Sequence, residues 1–324
     1  MIIVMKPTAT QENTNMVKDY IEGLGLSTHL STGRSITIIG IIGDRKKVPD
    51  TTRLFPGVDK LVYLTESYKL ANKKFRTEPT VINAGGVRFG IDNFTVTAGP
   101  CAIESVSQML EIADTVKKAG GRALRCGVYT PETEDMIKEV RSKTDLRIVV
   151  EVKRESLVKA ASKCADILLV GSANMENYGI LKECAAAGKP VILCRGLAAT
   201  VDELLASAEY LMSNGNENVI LCERGIRTYE TSTRNTLDLS AVPVIKSKSH
   251  LPVVVDPSHS AFVMEYIKPL SKAAVAAGAD GLIIEVHPSP AKSATNSSQA
   301  LNFSDFNDLM AAIKPIVQLE ERIL

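Results

Sequence analysis

Apolar and polar positions repeat in one pattern from Phe94 onward: a short β-branched run, a turn, then about ten to fifteen residues at helical spacing. The runs that predict strands are FTVTAG, RALRCG, RIVVEV, DILLVG, PVILCRG, NVILCERG, PVVVDPS and GLIIEVH. Several of the helical stretches between them end in glycine. Uniformly apolar strands are typical of a parallel sheet covered by helices. Eight such units, with no GxGxxG turn after the first strand, favour a closed (β/α)8 barrel over an open doubly wound sheet. We therefore predict an α/β barrel over residues 91–324.

The first part of the chain has a different order of elements. IIVM, SITIIGIIGD and VDKLVYL read as strands, QENTNMVKDYIEGLG as an amphipathic helix, and the polar stretch before VDKLVYL as a second helix. With one more short strand around residues 27–31, this order predicts a split βαβ module, a small α+β domain over residues 1–68. Residues 69–90 are basic and then turn-rich, which predicts a linker. The run VRFGIDNF predicts a hairpin that closes the bottom of the barrel.

Composition narrows the class of partner. The chain has 324 residues, 45% of them hydrophobic, yet no apolar run is long enough to cross a bilayer. A net charge of +1 favours neither nucleic acid nor a membrane surface, so a small-molecule substrate is expected. The start MIIVMKPTATQEN lacks a basic leader and a cleavage site, which predicts a cytoplasmic location. Six scattered cysteines without CxxC pairs argue against a disulfide framework and a zinc knuckle.

Candidate chemistry lies where the predicted strands end, because barrel active sites form at the carboxyl ends of the strands. The polar residues found there are Cys101, Arg125, Glu151, Lys153, Asn174, Cys194, Arg195, Glu223, Arg224, Arg227, Asp256, His259, Glu285 and His287. Buried ionisable groups are costly unless paired or liganded, so this convergence predicts a site. A thiolate, an imidazole and a carboxylate, from Cys101, His259 and Glu285, are a plausible transition-metal set, although their spacing is no metal motif.

Four segments closely resemble one enzyme family. They are AGPCAIES (98–105), ERGIRTYETSTRNTLDLSAVPVIK (223–246), LPVVVDPSHS (251–260) and IIEVHPSP (283–290). They resemble 3-deoxy-D-arabino-heptulosonate 7-phosphate (DAHP) synthases of the subfamily with an N-terminal ferredoxin-like regulatory domain. The resemblance implies condensation of phosphoenolpyruvate with erythrose 4-phosphate, in the shikimate pathway of aromatic amino acid biosynthesis. It also implies an aromatic amino acid effector at the N-terminal domain and a homo-oligomer, a tetramer or a dimer.

The same resemblance implies roles for individual residues. A divalent metal, manganese, iron, zinc or cobalt, is expected on Cys101, His259 and Glu285, while the family's fourth ligand, an aspartate, falls on Asn296. A neutral amide is a weaker ligand than a carboxylate. Glu151 and Lys153 complete the catalytic candidates, Lys153 either as an anion-binding group or as a Schiff-base amine. The substrate-binding candidates are Arg125, Asn174, Arg195, Arg224, Asp256 and Arg227, the last matching a family residue that contacts phosphoenolpyruvate.

The chain departs from the family at its phosphate-binding cations. The lysine and arginine of the family's FKPRTSPYSFQG loop fall on Thr130 and Glu132, the arginine of GARN on Ala173, and the lysine of KRG on Cys194. Each charge-assisted hydrogen bond is worth about 1.5–3 kcal/mol, so weaker binding of phosphoenolpyruvate is expected. Three hypotheses follow: an orthodox synthase, a diverged metal-dependent aldolase that takes a less phosphorylated 2-oxo acid or aldehyde, and a non-catalytic regulatory or binding subunit.

Overall fold

The structure, a computed structural model, describes residues 1–32, 37–62, 67–295 and 297–324, and the side chains of all of these except Arg45 and Ser297. The chain forms two compact units. One comprises Met1–Glu78 with Lys248–His250, and the other comprises Pro79–Ser247 with Leu251–Leu324. Among the described residues, no helix combines the length and the apolar character needed to cross a membrane.

The N-terminal unit is an antiparallel four-stranded sheet with one α-helix. Its elements are β1 (Ile2–Met5), α1 (Gln11–Gly23), β2 (Ser27–Thr32), β3 (Thr37–Ile42) and β4 (Val58–Val62). The strand order is β2-β3-β1-β4, and the buried face of α1 packs on the sheet through Val17 and Ile21. Two short 3₁₀ turns stand where the sequence predicted a second helix. Pro49 lies between the two turns and Pro56 follows the second, and each removes a backbone donor that a longer helix needs.

The second unit is the predicted closed barrel, and its eight parallel strands are the predicted ones. They are preceded by a hairpin of β5 (Ile82–Ala84) and β6 (Val87–Phe89). The barrel strands are β7 (Thr95–Gly99), β8 (Ala123–Val128), β9 (Arg147–Val152), β10 (Ile167–Val170), β11 (Val191–Cys194), β12 (Val219–Glu223), β13 (Val253–Val255) and β14 (Gly281–Glu285). Each strand pairs with its sequence neighbour, and β14 closes the ring on β7. The fold class, a (β/α)8 barrel with a small N-terminal α+β domain, is confirmed.

Helices cover the barrel and end as the sequence predicted. Their bounds are α2 (Val106–Lys118), α3 (Glu134–Lys143), α4 (Val158–Cys164), α5 (Tyr178–Ala186), α6 (Val201–Ser213), α7 (Ala241–Lys248), α8 (Ser258–Ala261), α9 (Met264–Ala276) and α10 (Phe303–Leu319). Ser105, Thr200 and Asn302 cap helix amino ends by accepting hydrogen bonds from backbone N–H groups. Gly120 and Gly278 follow helix carboxyl ends at positive φ, which glycine adopts without strain.

The barrel interior is a filled apolar core. Inward side chains such as Val149, Ile192 and Ile283 form one buried cluster with Ile82 and Phe89 of the hairpin. The carbonyl oxygen of Arg88 accepts a hydrogen bond from Thr95 at the start of β7, so the hairpin lies at the amino ends of the strands. Its second strand is VRF, the start of the segment expected to form a hairpin, and both of its strands lie within residues 69–90, the stretch expected to be a linker. The carboxyl ends of the strands stay free for chemistry.

Candidate active site

Cys101, His259 and Glu285 meet at the carboxyl rim of the barrel. Cys101 lies two residues after β7, His259 is in α8 directly after β13, and Glu285 is the last residue of β14. The Cys101 Sγ atom lies 2.9 Å from His259 Nε2, which lies 3.3 Å from Glu285 Oε2. One ligand atom from each of the three lies within 4.8 Å of the others. The structure therefore brings the three predicted metal ligands together across 184 residues of sequence.

Glycine at position 99 makes this convergence possible. Gly99 has φ +151°, and a Cβ atom there would overlap the carbonyl oxygen of Arg125 on the neighbouring strand β8. The β7 and β8 backbones therefore approach more closely than a side chain would allow. Because Cys101 follows two residues later, this close approach sets where its thiol lies.

The protonation of the triad suits metal binding. His259 is buried, and burial together with Arg224 and Arg125 lowers its pKa, so the ring is neutral near pH 7. Its Nδ1 lies 2.8 Å from Asp256 Oδ2 and donates to it, which leaves the lone pair of Nε2 facing Cys101 and Glu285. Burial opposes ionisation of Asp256, but His259, Arg224 and Arg125 lower its pKa to about 2. A carboxylate that orients a ligating imidazole in this way is the usual support of a protein metal site.

The Cys101 thiol is protonated when no cation is bound. Burial raises the pKa of Cys101 to about 12; Glu285 adds to the rise and Arg125 opposes it. A bound metal ion deprotonates a coordinating thiol outright, so binding of a metal ion here would release a proton.

Arg125 connects the triad to Glu151. Its Nη1 lies 3.1 Å from Cys101 Sγ and 3.2 Å from His259 Nε2, and its Nη2 donates to Glu151 Oε2 at 3.2 Å. Both side chains are buried. Burial alone would raise the pKa of Glu151, but Arg125, Arg224 and Lys153 lower it, so Glu151 is a carboxylate. The Nε of Arg125 is buried and has no hydrogen-bond partner among the described residues.

The other predicted arginines hold carboxylates or face solvent. Arg195 donates from Nη1 to Glu223 at 2.9 Å and to Asp238 at 2.8 Å, and from Nε to the carbonyl oxygen of Ala199. Arg224 lies 3.5 Å from Asp256. Arg227 is exposed. Of the predicted arginines, Arg125 and Arg224 are thus the ones linked to the groups around the triad.

The remaining sequence candidates lie apart from the triad or outside the described residues. Lys153 follows β9 and is exposed, and the Asn174 side chain accepts a hydrogen bond from Asn177 in the loop after β10. Among the described residues, His287 lies next to Glu104 and Gln108, which are not part of the triad. Asn296, the expected fourth metal ligand, lies outside the described residues.

Two functional contacts were missed by sequence reasoning. Gln299 is buried and donates from Nε2 to Glu285, with Cys101 Sγ 3.8 Å away. Asp238 accepts from Arg195. Both lie in loops that follow barrel strands, but more than ten residues beyond the strand ends, where the sequence candidates lie.

The charge of the rim fits a divalent cation. Around the triad, among the described residues, the carboxylates of Glu151, Asp256 and Glu285 face the guanidinium groups of Arg125 and Arg224. With all five ionised, three carboxylates face two guanidinium groups, an excess of one negative charge, and a thiolate at Cys101 would add a second. A buried excess of this size is costly without a counter-ion. Thiolate, imidazole and carboxylate together are ligands that divalent transition metals accept.

Comparison with known proteins agrees with this geometry. Residues 68–320 match the model of the DAHP synthetase I family, and residues 1–66 match the DAHP synthase ferredoxin-like domain. Among curated proteins, the phospho-2-dehydro-3-deoxyheptonate aldolase of Thermotoga maritima is 40% identical over 98% of this chain and 97% of its own. A 2-dehydro-3-deoxyphosphooctonate aldolase of Acidithiobacillus ferrooxidans is 28% identical over 69% of this chain and 89% of its own.

Solved structures give the same result. The crystal structure of the Thermotoga maritima DAHP synthase matches with a TM-score of 0.79 at 39% identity, over 99% of this chain and 98% of that one. A truncated form of the Thermotoga maritima synthase covers 79% of this chain and 98% of its own, with a TM-score of 0.77. The chain therefore belongs to the DAHP synthetase I family and carries that family's ferredoxin-like domain at its amino end.

Proposed function

We propose that this protein condenses phosphoenolpyruvate with erythrose 4-phosphate, with uptake of one water molecule, in a metal-dependent, aldol-type reaction that yields DAHP and inorganic phosphate, at the entry to aromatic amino acid biosynthesis. The observation that carries the proposal is the meeting of Cys101, His259 and Glu285 at the rim of a barrel that belongs to this family. A divalent ion there, manganese, iron, zinc or cobalt, would act as a Lewis acid on the aldehyde of the acceptor.

The protein's own residues position and neutralise the reactants. His259, held by Asp256, presents Nε2 toward the ion, and the unpartnered Nε of Arg125 is free to bind a substrate carboxylate. Glu151 is the ionised group next to Arg125 and can take up a proton during the reaction. We assign Arg224 to the same anion-binding wall. Lys153 and Arg227, both exposed, are left for the acceptor's phosphate at the mouth of the site.

The test is a phosphate-release assay with the two substrates and Mn²⁺, run on the wild type and on Cys101→Ser. Loss of a metal ligand should lower both the bound metal and kcat/KM, the latter by at least about 100-fold. Cys184→Ser, which alters a buried thiol on α5 away from the rim, is the matched control and should keep both. No phosphate release by metal-loaded wild type, or full activity of Cys101→Ser, would contradict the proposal; the first result would favour a non-catalytic subunit.

We further propose that the ferredoxin-like unit, residues 1–68, binds an aromatic amino acid as effector, and that the protein is a cytoplasmic homo-oligomer, a tetramer or a dimer. The match of residues 1–66 to the DAHP synthase ferredoxin-like domain supports this assignment. Phosphate release should fall when tyrosine, phenylalanine or tryptophan is added. Light scattering on the eluting protein should give a mass above the 34.9 kDa of one chain.

A further inference from the structure

Gln299 is a buried amide that contacts two of the three predicted metal ligands. Its side chain is 3% exposed, and its Nε2 donates to Oε2 of Glu285 and lies 3.8 Å from Sγ of Cys101. The opposite orientation of the amide would bring its oxygen against the Glu285 carboxylate, so the nitrogen is the atom that faces the two ligands. One side chain therefore contacts a hard oxygen ligand and a soft sulfur ligand of the same site.

Backbone contacts on either side of Gln299 hold it beside the triad. Two residues after it, the N–H of Leu301 donates to the carbonyl oxygen of Glu285 at 2.9 Å. Five residues before it, the N–H of Ala294 donates at 2.8 Å to Glu104, which lies three residues along the chain from the cysteine of the triad. The position of the amide is therefore set by the chain itself and does not depend on a bound cation.

The fold alone does not explain an amide at this position. The Oε1 of Gln299 is buried and has no hydrogen-bond partner among the described residues. A buried oxygen without a donor is costly, so an apolar side chain of similar size would suit the packing better. The amide is better explained by what its N–H groups do for Glu285 and Cys101.

The sulfur ligand has a hydrogen-bond donor on each of two sides. Besides the Nε2 of Gln299, the Nη1 of Arg125 lies 3.1 Å from Cys101 Sγ and donates to it. Hydrogen bonds to a sulfur ligand withdraw electron density from it and weaken its bond to a metal ion. Thiophilic cations depend on that bond more than harder cations do. The donors on Cys101 therefore disfavour a thiophilic cation.

The oxygen ligand gains from the same amide. Glu285 is 1% exposed, and the hydrogen bond from Gln299 fixes the orientation of its carboxylate. A carboxylate that is oriented in advance binds a metal ion more tightly than one that must be ordered on binding. Carboxylate oxygens suit harder cations such as Mn²⁺. The contact with Glu285 therefore favours a harder cation.

Both contacts of Gln299 act on the choice of cation in the same direction, because one supports the oxygen ligand and the other weakens the sulfur ligand. We infer that Gln299 is a positioning residue that shifts the preference of the metal site from thiophilic Zn²⁺ toward harder Mn²⁺. The inference rests on the metal-dependent function proposed above and specifies which of its candidate cations this residue favours.

Titration of the metal-free, full-length protein with Mn²⁺ and with Zn²⁺ tests this preference. Gln299→Leu removes both donors, so the ratio of the Kd for Mn²⁺ to the Kd for Zn²⁺ should rise by about tenfold or more. Asn216→Leu is the matched control and should keep the wild-type ratio. Asn216 is also a buried amide that donates to a backbone carbonyl oxygen, but it lies before β12, at the amino end of that strand. An unchanged ratio in Gln299→Leu, including an equal loss of both affinities, would overturn the inference.

The absorption spectrum of the Co²⁺-loaded protein reports on the sulfur ligand directly. Loss of a hydrogen bond raises the energy of the sulfur electrons, so the thiolate-to-cobalt charge-transfer band should move to longer wavelength in Gln299→Leu. Gln299→Met has the same chain length and no N–H group, and it should show the same shift even if Gln299→Leu does not fold. Cys101→Ser should lack the band, and Asn216→Leu should keep it unchanged. A band at the wild-type wavelength in the Gln299 variants would contradict the inference.

Phosphate release separates the inference from the proposed function. Turnover by the Mn²⁺-loaded wild type, together with an unchanged cation preference in Gln299→Leu, would overturn the inference and leave the function intact. A changed preference in Gln299→Leu, with no phosphate release by wild type loaded with either cation, would support the inference and refute the proposed reaction. A wild type that binds neither Mn²⁺ nor Zn²⁺ would overturn both.

Discussion

Arg125 illustrates how one residue can be both a structural and a functional element. Its guanidinium group is 2% exposed and lies between the Glu151 carboxylate and the triad. A buried ion pair contributes little net stability against an apolar pair of the same shape, because both charges lose their hydration. Removing only one partner of the pair is strongly destabilising, because the charge of the other partner then stays buried without compensation. The pair is therefore better explained by the site than by the fold.

The Arg125–Glu151 pair gives a prediction about stability. Arg125→Met should lower the free energy of unfolding by about 3–5 kcal/mol, because the Glu151 charge stays buried without its partner. The double variant Arg125→Met/Glu151→Gln should recover part of that loss. Urea unfolding of the two single variants and the double variant measures the coupling, and Lys118→Met, in the exposed pair with Asp114, is the control. Equal losses in Arg125→Met and Lys118→Met would contradict the expectation.

At the scale of elements, the periodicity of apolar residues in the sequence predicted the strands and helices. It did not predict how closely the backbones of β7 and β8 approach each other. All eight barrel strands lie where the β-branched runs predicted them. In contrast, nothing in AGPCAIES distinguishes Gly99 as a contact glycine from an ordinary turn glycine. Its role depends on the carbonyl oxygen of Arg125, which reaches it only after β7 and β8 pair.

Gly99→Ala tests the close approach of β7 and β8. The added Cβ should cost at least about 3 kcal/mol of unfolding free energy, because positive φ strain and overlap with backbone combine. Bound metal should fall as well, since Cys101 lies only two residues further along the chain. Gly86→Ala is the control: it has φ +99° but open space around its Cβ, so it reports the strain alone. Thermal unfolding and elemental analysis measure the two effects. Equal stability and equal metal content in Gly99→Ala and Gly86→Ala would contradict the proposed role of the close approach.

At the scale of the whole molecule, the two units divide the chain unevenly. Lys248–His250, at the end of α7 and far along the barrel sequence, belongs to the N-terminal unit. There His250 is buried and its Nε2 lies 2.7 Å from the carbonyl oxygen of Leu70, to which it donates. Burial lowers the pKa of His250 to about 4 from its usual 6.5. The neutral form is therefore the one that fits the folded unit.

This histidine predicts acid sensitivity. Below about pH 6.5 the unfolded chain binds a proton at His250 that the folded chain refuses until about pH 4. Stability present at pH 7 is therefore lost as the pH falls through that window, up to about 3 kcal/mol. Urea unfolding at pH 7 and pH 4.5 should show a smaller acid loss in His250→Gln, which keeps a donor but does not titrate. An equal loss in both proteins would show that other groups are responsible.

The division into units also predicts an independent barrel. The buried cluster inside the barrel draws all of its members from residues 82–283, which lie in the second unit, so the fragment 79–324 should fold without the first unit. The truncated Thermotoga maritima structure, which covers 79% of this chain, supports that expectation. Circular dichroism should show a cooperative melt, and the fragment should bind one equivalent of divalent metal. Aggregation or a non-cooperative melt would contradict it.

The sequence by itself determined the barrel, its eight strands and the set of side chains at their carboxyl ends, because apolar periodicity is local and parallel closure brings every strand end to one rim. It also predicted the thiol, imidazole and carboxylate that meet there. Only the tertiary structure decided which of those groups touch. That Arg125 faces Cys101 and Glu151, that Gln299 reaches Glu285, and that Arg195 is already bound by Asp238 are contacts between residues far apart in the chain. Such contacts depend on strand register and on the paths of the loops, which the local pattern of residue types does not encode.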